Sequence, residues 1–438
     1  MTEESVEIPQ HETVASAPGG PMSDGPEKKL SASEKFKVSL AVFSAPGFPW
    51  LIVANGAMFV GFQMRNMGQA WLVLDLTDSA FLVGLVNAMP SMALLVLSPL
   101  GGVLADRFNK RTVALRGRFF VMLVSFIVAF IVASGEVQVW HLLITGLLLG
   151  TAFALSNPAS QTIVMDVVGR ERMISAISLN NSVSNLGTMV GPAIGGLLIA
   201  SYGNAAMFWL TAGIYVFGYV GFFGVPGKAP SESASQAGWS SAFAQMGEGM
   251  KYAMATSRIK WLLFTLTGTV YWGVVQPLIP VYARDVLDVG AAGFGIMIAA
   301  TGAGSLVGAV VIFVIGDLPR KGLMVILSTI ITAVSYSLFA ISGNFPLSVL
   351  ALFISGLASA AWFTSIFTLL QTMVGDEMRG RIMGLAMSAG MLMGFGFMLG
   401  GLLADTYSPQ VALHTSAALW ILWALIAFWR SPELRRAN

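Results

Sequence analysis

The sequence predicts an all-α polytopic membrane protein, with twelve transmembrane helices in two pseudo-symmetric six-helix halves. Three observations carry this. Hydrophobic residues make up 55% of the chain and charged residues 11%, less than half of the roughly 25% typical of soluble domains, and mean hydropathy is +0.75. Basic residues fall on alternate connections between the apolar runs. The second half of the chain repeats features of the first at a nearly fixed offset.

The elements follow in order. Residues 1–45 are polar and rich in Pro, Ser, Glu and Lys. Such a segment buries too little apolar surface to fold, so a disordered tail is expected. It lacks the apolar core of a signal peptide, so the first membrane helix is expected to be retained. An apolar run of about 18 or more residues is long enough to cross a bilayer as a helix. Runs of this kind place six spans in a first half, 46–225, at 48–74, 80–105, 112–134, 139–165, 174–200 and 204–225. A second half, 258–430, holds spans at 258–283, 291–315, 321–342, 346–373, 381–404 and 411–429, and a short tail, 431–438, follows. The linker between the halves, 226–257, begins as a flexible polar stretch. Trp239, Phe243, Met246 and Met250 then recur at helical spacing, which predicts a short amphipathic surface helix.

Charge sets the orientation, because short loops rich in Lys and Arg stay cytoplasmic. Arg107, Lys110, Arg111, Arg116 and Arg118 crowd the second-to-third connection. The linker, both tails and the other even-numbered connections hold nearly all the rest. Of the 24 Lys and Arg residues only Arg284 falls on the opposite side, and Arg65 lies inside a span. The chain is therefore expected in the plasma (inner) membrane as a multi-pass protein with both termini cytoplasmic.

The internal repeat aligns LADRFNKR (104–111) with IGDLPRKG (315–322), so that Asp106 falls on Asp317 and Lys110 on Lys321. Gly195 and Gly196 fall on Gly400 and Gly401. Two parallel six-helix repeats are a recurring transporter plan, with substrate held between them near the midplane.

Composition also excludes functions. There is no cysteine, and His11, His141 and His414 are scattered, so thiolate or clustered metal sites are not expected. No Walker motif is present, and the glycine-rich 302–308 segment lies inside an apolar span without a flanking strand, which argues against a nucleotide site. Neither enzymatic activity, a cofactor nor a nucleic-acid partner is expected, and a monomer among membrane lipids is.

Arg65 is the sharpest single residue. It precedes Asp75 by ten positions, about 15 Å along a helix, and so lies near the bilayer middle. A charge there is costly and marks a functional site by default. It is expected to face a central cavity and meet an anionic substrate or a carboxylate, with Asn66 and Gln69 beside it and its repeat mate Gln276 close to Tyr271 and Trp272. On the fifth span Ser178, Asn181, Asn185 and Thr188 form a polar stripe, which lines either the cavity or the wet vestibule. Trp362, Phe363 and Met391 are mid-span candidates for an adaptable amphipathic surface. Gly187, Gly191 and Gly195 recur on one face and allow close helix approach, and Pro192 is expected to kink that helix.

The stretch GGVLADRFNKR resembles the loop signature of the major facilitator superfamily, Gly-x-x-x-Asp-Arg-x-Gly-Arg-Arg, through Gly102, Asp106, Arg107, Lys110 and Arg111, with Asn109 in place of the second Gly. GTMVGPAIGG (187–196) is similar to the antiporter motif of exporters in that superfamily. MRNMGQAWLVLDLTDSAFLVGLV resembles the branch containing the enterobactin exporter and macrolide efflux proteins. The resemblance implies a secondary active exporter of small amphipathic molecules, drug-like compounds or siderophores, working by alternating access with proton antiport. Lipid or lysolipid movement and a non-transporting sensor or scaffold are the alternatives. It also implies a cytoplasmic latch in which Asp106 caps the start of the eleventh span near Arg379 and Arg381, where the helix dipole favours an anion. Arg107 would pair with Asp166 or Glu171, and Asp317, Arg320 and Lys321 would form the matching loop of the second half. No span interior carries Asp or Glu, so a proton carrier would have to be an edge carboxylate, with Asp75 the candidate.

Overall fold

The computed structural model describes residues 41–169, 172–226, 239–316 and 320–430, except for the side chains at 41, 99, 106, 174, 239–246 and 376. Most of the expected N-terminal tail, the C-terminal tail, the first part of the linker, Glu171, Asp317 and the side chain of Asp106 lie outside that description. The structure is helical because hydrocarbon offers no hydrogen-bond partner, and only intrahelical bonding satisfies every backbone group of a single span.

The first half comprises α1 (Phe48–Thr77), α2 (Ala80–Arg107), α3 (Lys110–Ala133) and α4 (Val139–Val168). The helix Met173–Gly221 follows, broken by the non-helical dihedrals of Gly203 (φ 80, ψ 174); its arms, 173–202 and 204–221, are α5 and α6. The linker contributes α7 (Trp239–Ala255). The seventh span is assembled from α8 (Ser257–Thr267), α9 (Thr269–Val275), α10 (Leu278–Val281) and a π turn at Tyr282–Val286. Then come α11 (Gly290–Ile315), α12 (Lys321–Ile341), α13 (Phe345–Met373), α14 (Asp376–Met391), α15 (Met393–Thr406) and α16 (Pro409–Arg430).

Among the described residues, 10 segments are long and apolar enough to cross a membrane, where the sequence predicts twelve. The difference lies in two places. One segment of 50 residues runs through the Gly203 break and is counted once. The other is α1, 30 residues long, whose middle holds Gln63, Arg65, Asn66 and Gln69.

Local chemistry fixes the ends. Ser79 and Asn109 accept hydrogen bonds from the Leu82 and Thr112 amides and so start α2 and α3. His141 Nδ1 accepts from the Gln138 amide as half of a capping box at the start of α4. Pro192 lies within α5 with helical dihedrals; the one non-helical residue inside Met173–Gly221 is Gly203. Packed neighbours let membrane helices tolerate proline, and α5 is pressed against α1 through this stretch. Residues 41–44, expected in the tail, form a 3-10 turn, with Val42 and Ala45 buried beside Phe48. The helix expected in the linker is present as α7, but Met250 is exposed, whereas Gly249 and Ala253 face α14 and its neighbours.

The halves meet along two glycine seams. A Cβ at Gly196 of α5 would overlap Ala291 and Gly295 of α11, and one at Gly401 of α15 would overlap Ala80 and Phe81 of α2. These are equivalent positions of the repeat, so each half contributes one such helix. Gly187, Gly191 and Gly195 instead seat α5 on the α1 backbone within the first half. With little hydrophobic drive between helices in lipid, such close packing carries much of the association.

The core is uneven along the molecule. At the end away from the basic loops one apolar cluster includes residues of both halves, Leu74, Ala80, Val274, Leu278 and Ala404 among them. At the basic end the clusters separate: one gathers Ile259, Leu262, Ile366 and Leu385 of the second half, another Leu51, Ala114, Ile163 and Phe222 of the first.

Candidate functional site

Where the core divides, a cavity of about 610 Å³ opens between the halves. From the first half α1, α3, α4 and α5 line it; from the second, Ser305 and Ala309 of α11 and Ala360, Phe363 and Thr364 of α13. One wall is amide and hydroxyl, with Asn55, Asn157, Gln161, Asn180 and Asn181. The other is aromatic, with Phe59, Phe62, Phe153 and Phe363. Asn157, Gln161 and Asn181 are exposed and lie on the parts of α4 and α5 nearest the basic end, so the cavity opens there.

The far end is closed by polar contacts that cross between halves. Asp405, at the C-terminal end of α15, receives hydrogen bonds at the first turn of α2: from the Ser79 hydroxyl at 2.6 Å and from the amides of Ala80 at 2.9 Å and Phe81 at 3.0 Å. Unsatisfied amides and the positive end of the helix dipole make this a favourable place for a carboxylate. Arg284 adds a second tie, donating to Asp78 and to the Leu74 carbonyl of α1 while paired with Asp285. Close packing backs both, since an added Cβ at Gly84 of α2 would overlap the Phe397 carbonyl of α15.

At the basic end two ion pairs among the described residues connect neighbours of the same half or the linker. Lys110 pairs with Asp166 at 3.0 Å, which joins the end of α4 to the start of α3. Arg111 donates to the Phe223 carbonyl, Arg379 to the carbonyls of Gln371 and Val374, and Arg381 pairs with Glu248 of α7. Arg320 holds a left-handed conformation just before Lys321 starts α12. Arg107 is exposed at the end of α2, and Gly102 has open space around it. The described residues of this set lie at one end of the molecule. Glu171, Asp317 and the Asp106 side chain are outside the described residues.

The structure divides the other predicted cavity residues. Asn181, Asn185 and Phe363 are on the cavity wall. Arg65, Asn66 and Gln69 are not: Arg65 is buried one turn beyond Phe62 and donates to Asn66 and Gln69 of its own helix, with no carboxylate in contact among the described residues. Trp362 and Phe363 border a separate pocket of about 10 Å³ with Trp272. Tyr271 packs its ring toward Trp423, Gln276 sits at the junction of α9 and α10, and Met391 ends α14; none of the three is on the main wall. Asp75 is exposed near the far end of α1, away from the cavity.

Two residues escaped sequence reasoning. Arg118, counted there among loop cations, lies eight residues inside α3 and is buried in the cavity wall. Its position six residues into the predicted 112–134 span was the available signal. Asp405 carries no local signal, because its partners are 324 to 326 residues away in sequence.

A family profile described as transmembrane secretion effector matches residues 37–437. The chain belongs to this family of major facilitator superfamily transporters. The transporter is 27% identical over 365 residues to the enterobactin exporter EntS of Shigella boydii serotype 4 (strain Sb227), covering 81% of this chain and 86% of that one. The EntS of Escherichia coli O1:K1 / APEC matches with the same identity and coverage. Among solved structures, a POT family transporter in complex with a thioalcohol conjugated peptide superposes with a TM-score of 0.73 at 14% identity, over 89% of this chain and 96% of that one. The nucleoside transporter NupG gives 0.70 at 14% identity, over 88% and 98%. At such identities these structures speak for the fold alone. Family and relatives are those of a transporter in the membrane rather than an enzyme.

Proposed function

We propose that the protein exports small amphipathic organic molecules, siderophores or drug-like compounds, from the cytoplasm by alternating access. The observation that carries this reading is the cavity between the halves, open at the basic end and sealed by contacts between halves at the other. The excess of Lys and Arg in the short loops supports a cytoplasmic basic end. The cavity then faces the cytoplasm, where an exporter must load. Likeness to enterobactin exporters supports export, and the mixed amide and aromatic walls suit an amphipathic cargo.

The two ends have a matching device. α2 and the α14–α15 pair run antiparallel, so each ends where the other begins. Asp405 at the end of α15 caps the start of α2. Asp106, at the end of α2, is the proposed reciprocal carboxylate, with the start of α14 as its partner. In the proposed cycle the Asp405 contacts break as the far end opens, and Asp106 caps α14 as the basic end closes.

Proton antiport is the proposed coupling, supported by the likeness of 187–196 to the antiporter motif. Asp405 replaces Asp75 as the preferred carboxylate, because protonation would remove charge from a contact that must break. The test is uptake by inverted membrane vesicles of a panel of siderophores, antibiotics and lysolipids under an imposed proton gradient. Gradient-dependent uptake of a siderophore or antibiotic, lost in Asp405→Ala, is the expected result. Uptake of lysolipids alone, or of nothing, would overturn the substrate assignment.

A further inference from the structure

Arg118 carries a charge in the cavity wall that the protein leaves without a counter-charge. The residue is 5% exposed, and α3 places it about 12 Å from the helix start by the 1.5 Å rise. Its guanidinium donates to the carbonyls of Ala54 and Gly218 and to Asn55 Oδ1 at 2.6 Å, and it lies over the Phe222 ring at 4.2 Å. Every one of these partners is neutral. Its Nε is buried and has no hydrogen-bond partner. Among the described residues that line the cavity there is no Asp or Glu, and Arg118 is the one charged side chain. A buried ion without a paired counter-ion is costly, so a purely structural role would favour a neutral residue here.

The surrounding amides show which way the hydrogen bonding runs. Asn55 accepts from Arg118 and donates through Nδ2 to Asn180 Oδ1 at 2.8 Å. With its oxygen so occupied, Asn180 is left with Nδ2 as a donor on the cavity wall, and that atom has no protein partner among the described contacts. Arg118 and Asn180 thus offer donors from α3 and α5 to one region. Across from them Phe59, Phe62 and Phe363 present apolar surface.

We propose that Arg118, with Asn180, is the anion-recognition point of the cavity, and that the cargo is an organic anion: an aromatic or aliphatic body carrying a carboxylate or a similar oxyanion. A planar guanidinium suits a carboxylate because two parallel N–H donors can meet its two oxygens. The inference rests on the export reading and narrows its substrate class. A phosphate of an anionic lipid shares this chemistry, so the test separates the two sources.

The test is binding by calorimetry to the full chain in phosphatidylcholine nanodiscs. The probes are naphthalene-2-carboxylate and its methyl ester, which differ in charge but little in shape. Wild type is expected to bind the carboxylate at least tenfold more tightly than the ester. Arg118→Gln is expected to abolish that preference, Arg118→Lys to keep part of it, and Asn180→Ala to weaken the acid several-fold. Circular dichroism of each variant in the same nanodiscs reports that it remains folded. Equal binding of acid and ester by wild type, no binding of the acid, or a preference that survives in Arg118→Gln overturns the proposal. Repeating the measurement with phosphatidylglycerol in the nanodiscs tests the lipid source: loss of acid binding there assigns the site to a lipid phosphate and overturns the cargo assignment. Acid binding that depends on Arg118, in a protein that fails to move any compound in vesicles, would sink the export reading and leave the anion site standing. Vesicle export that is unaffected by Arg118→Gln would do the reverse.

Discussion

At the far end, Asp405 reaches from the second half to the first turn of α2 in the first, and Arg284 reaches back to α1. At the basic end, Lys110 and Asp166 tie α3 to α4 within one half, and Arg381 ties α14 to the linker helix. The first set has to break if the halves rock apart; the second travels with its own half. Charge density is therefore a poor guide to what holds a state together. The basic end has most of the charge, and the far end has the described ion pairs and carboxylate contacts that cross between the halves.

The largest effect should come from Asp405→Ala, which removes three hydrogen bonds to a carboxylate across the seam. Such bonds contribute about 1.5–3 kcal/mol each when made to a charged group. Because two of them are solvent-exposed, we expect a net shift of about 2 kcal/mol, roughly thirtyfold in the ratio of states. Cysteines introduced below the far-end seal should then react with a bulky maleimide; the natural chain has no cysteine to confuse the readout. Next is Gly84→Ala. The new methyl meets the Phe397 carbonyl, a backbone atom, so the helices must separate, at about 1–3 kcal/mol. Far-end opening without loss of helical content, followed by circular dichroism and the same labelling, is the expected outcome. Arg284→Gln should do less, because Asp78 is largely exposed and surface pairs are worth about 0.2–1 kcal/mol. A two- to fourfold rise in far-end labelling is expected. Smallest of all, Lys110→Ala should leave labelling at both ends within about twofold, since its pair does not cross the seam. A large change there would mean that the comparison between the ends is drawn wrongly.

Much of this architecture was legible in the sequence. Hydrocarbon forces every span into a long apolar run, so the runs, the alternating basic loops and the repeat locate the helices to within a few residues. Asn181 and Asn185 were readable as cavity residues because a polar stripe on an apolar helix needs a wet or polar neighbour. Counting from Asp75 gives Arg65 a depth, but depth does not fix azimuth, and its guanidinium turns along α1 to Gln69. Arg118 was hidden by its neighbours: four basic residues nearby made it look like one more loop charge. The breaks inside the seventh and eleventh spans were not readable, whereas the Gly203 break falls between the predicted spans 174–200 and 204–225. Cross-half contacts such as Asp405 with Ser79 depend on which spans become neighbours, and no local pattern encodes that.

The most direct test of the exchange between ends is a pair of spin-label distances in reconstituted protein. One pair, Glu136→Cys with Gly343→Cys, reports the far end; the other, Arg116→Cys with Thr372→Cys, reports the basic end. In Asp405→Ala the far-end distance should lengthen while the basic-end distance shortens, and adding Asp106→Asn should undo the basic-end shortening. Unchanged distances in Asp405→Ala, or both ends lengthening together, would contradict the account.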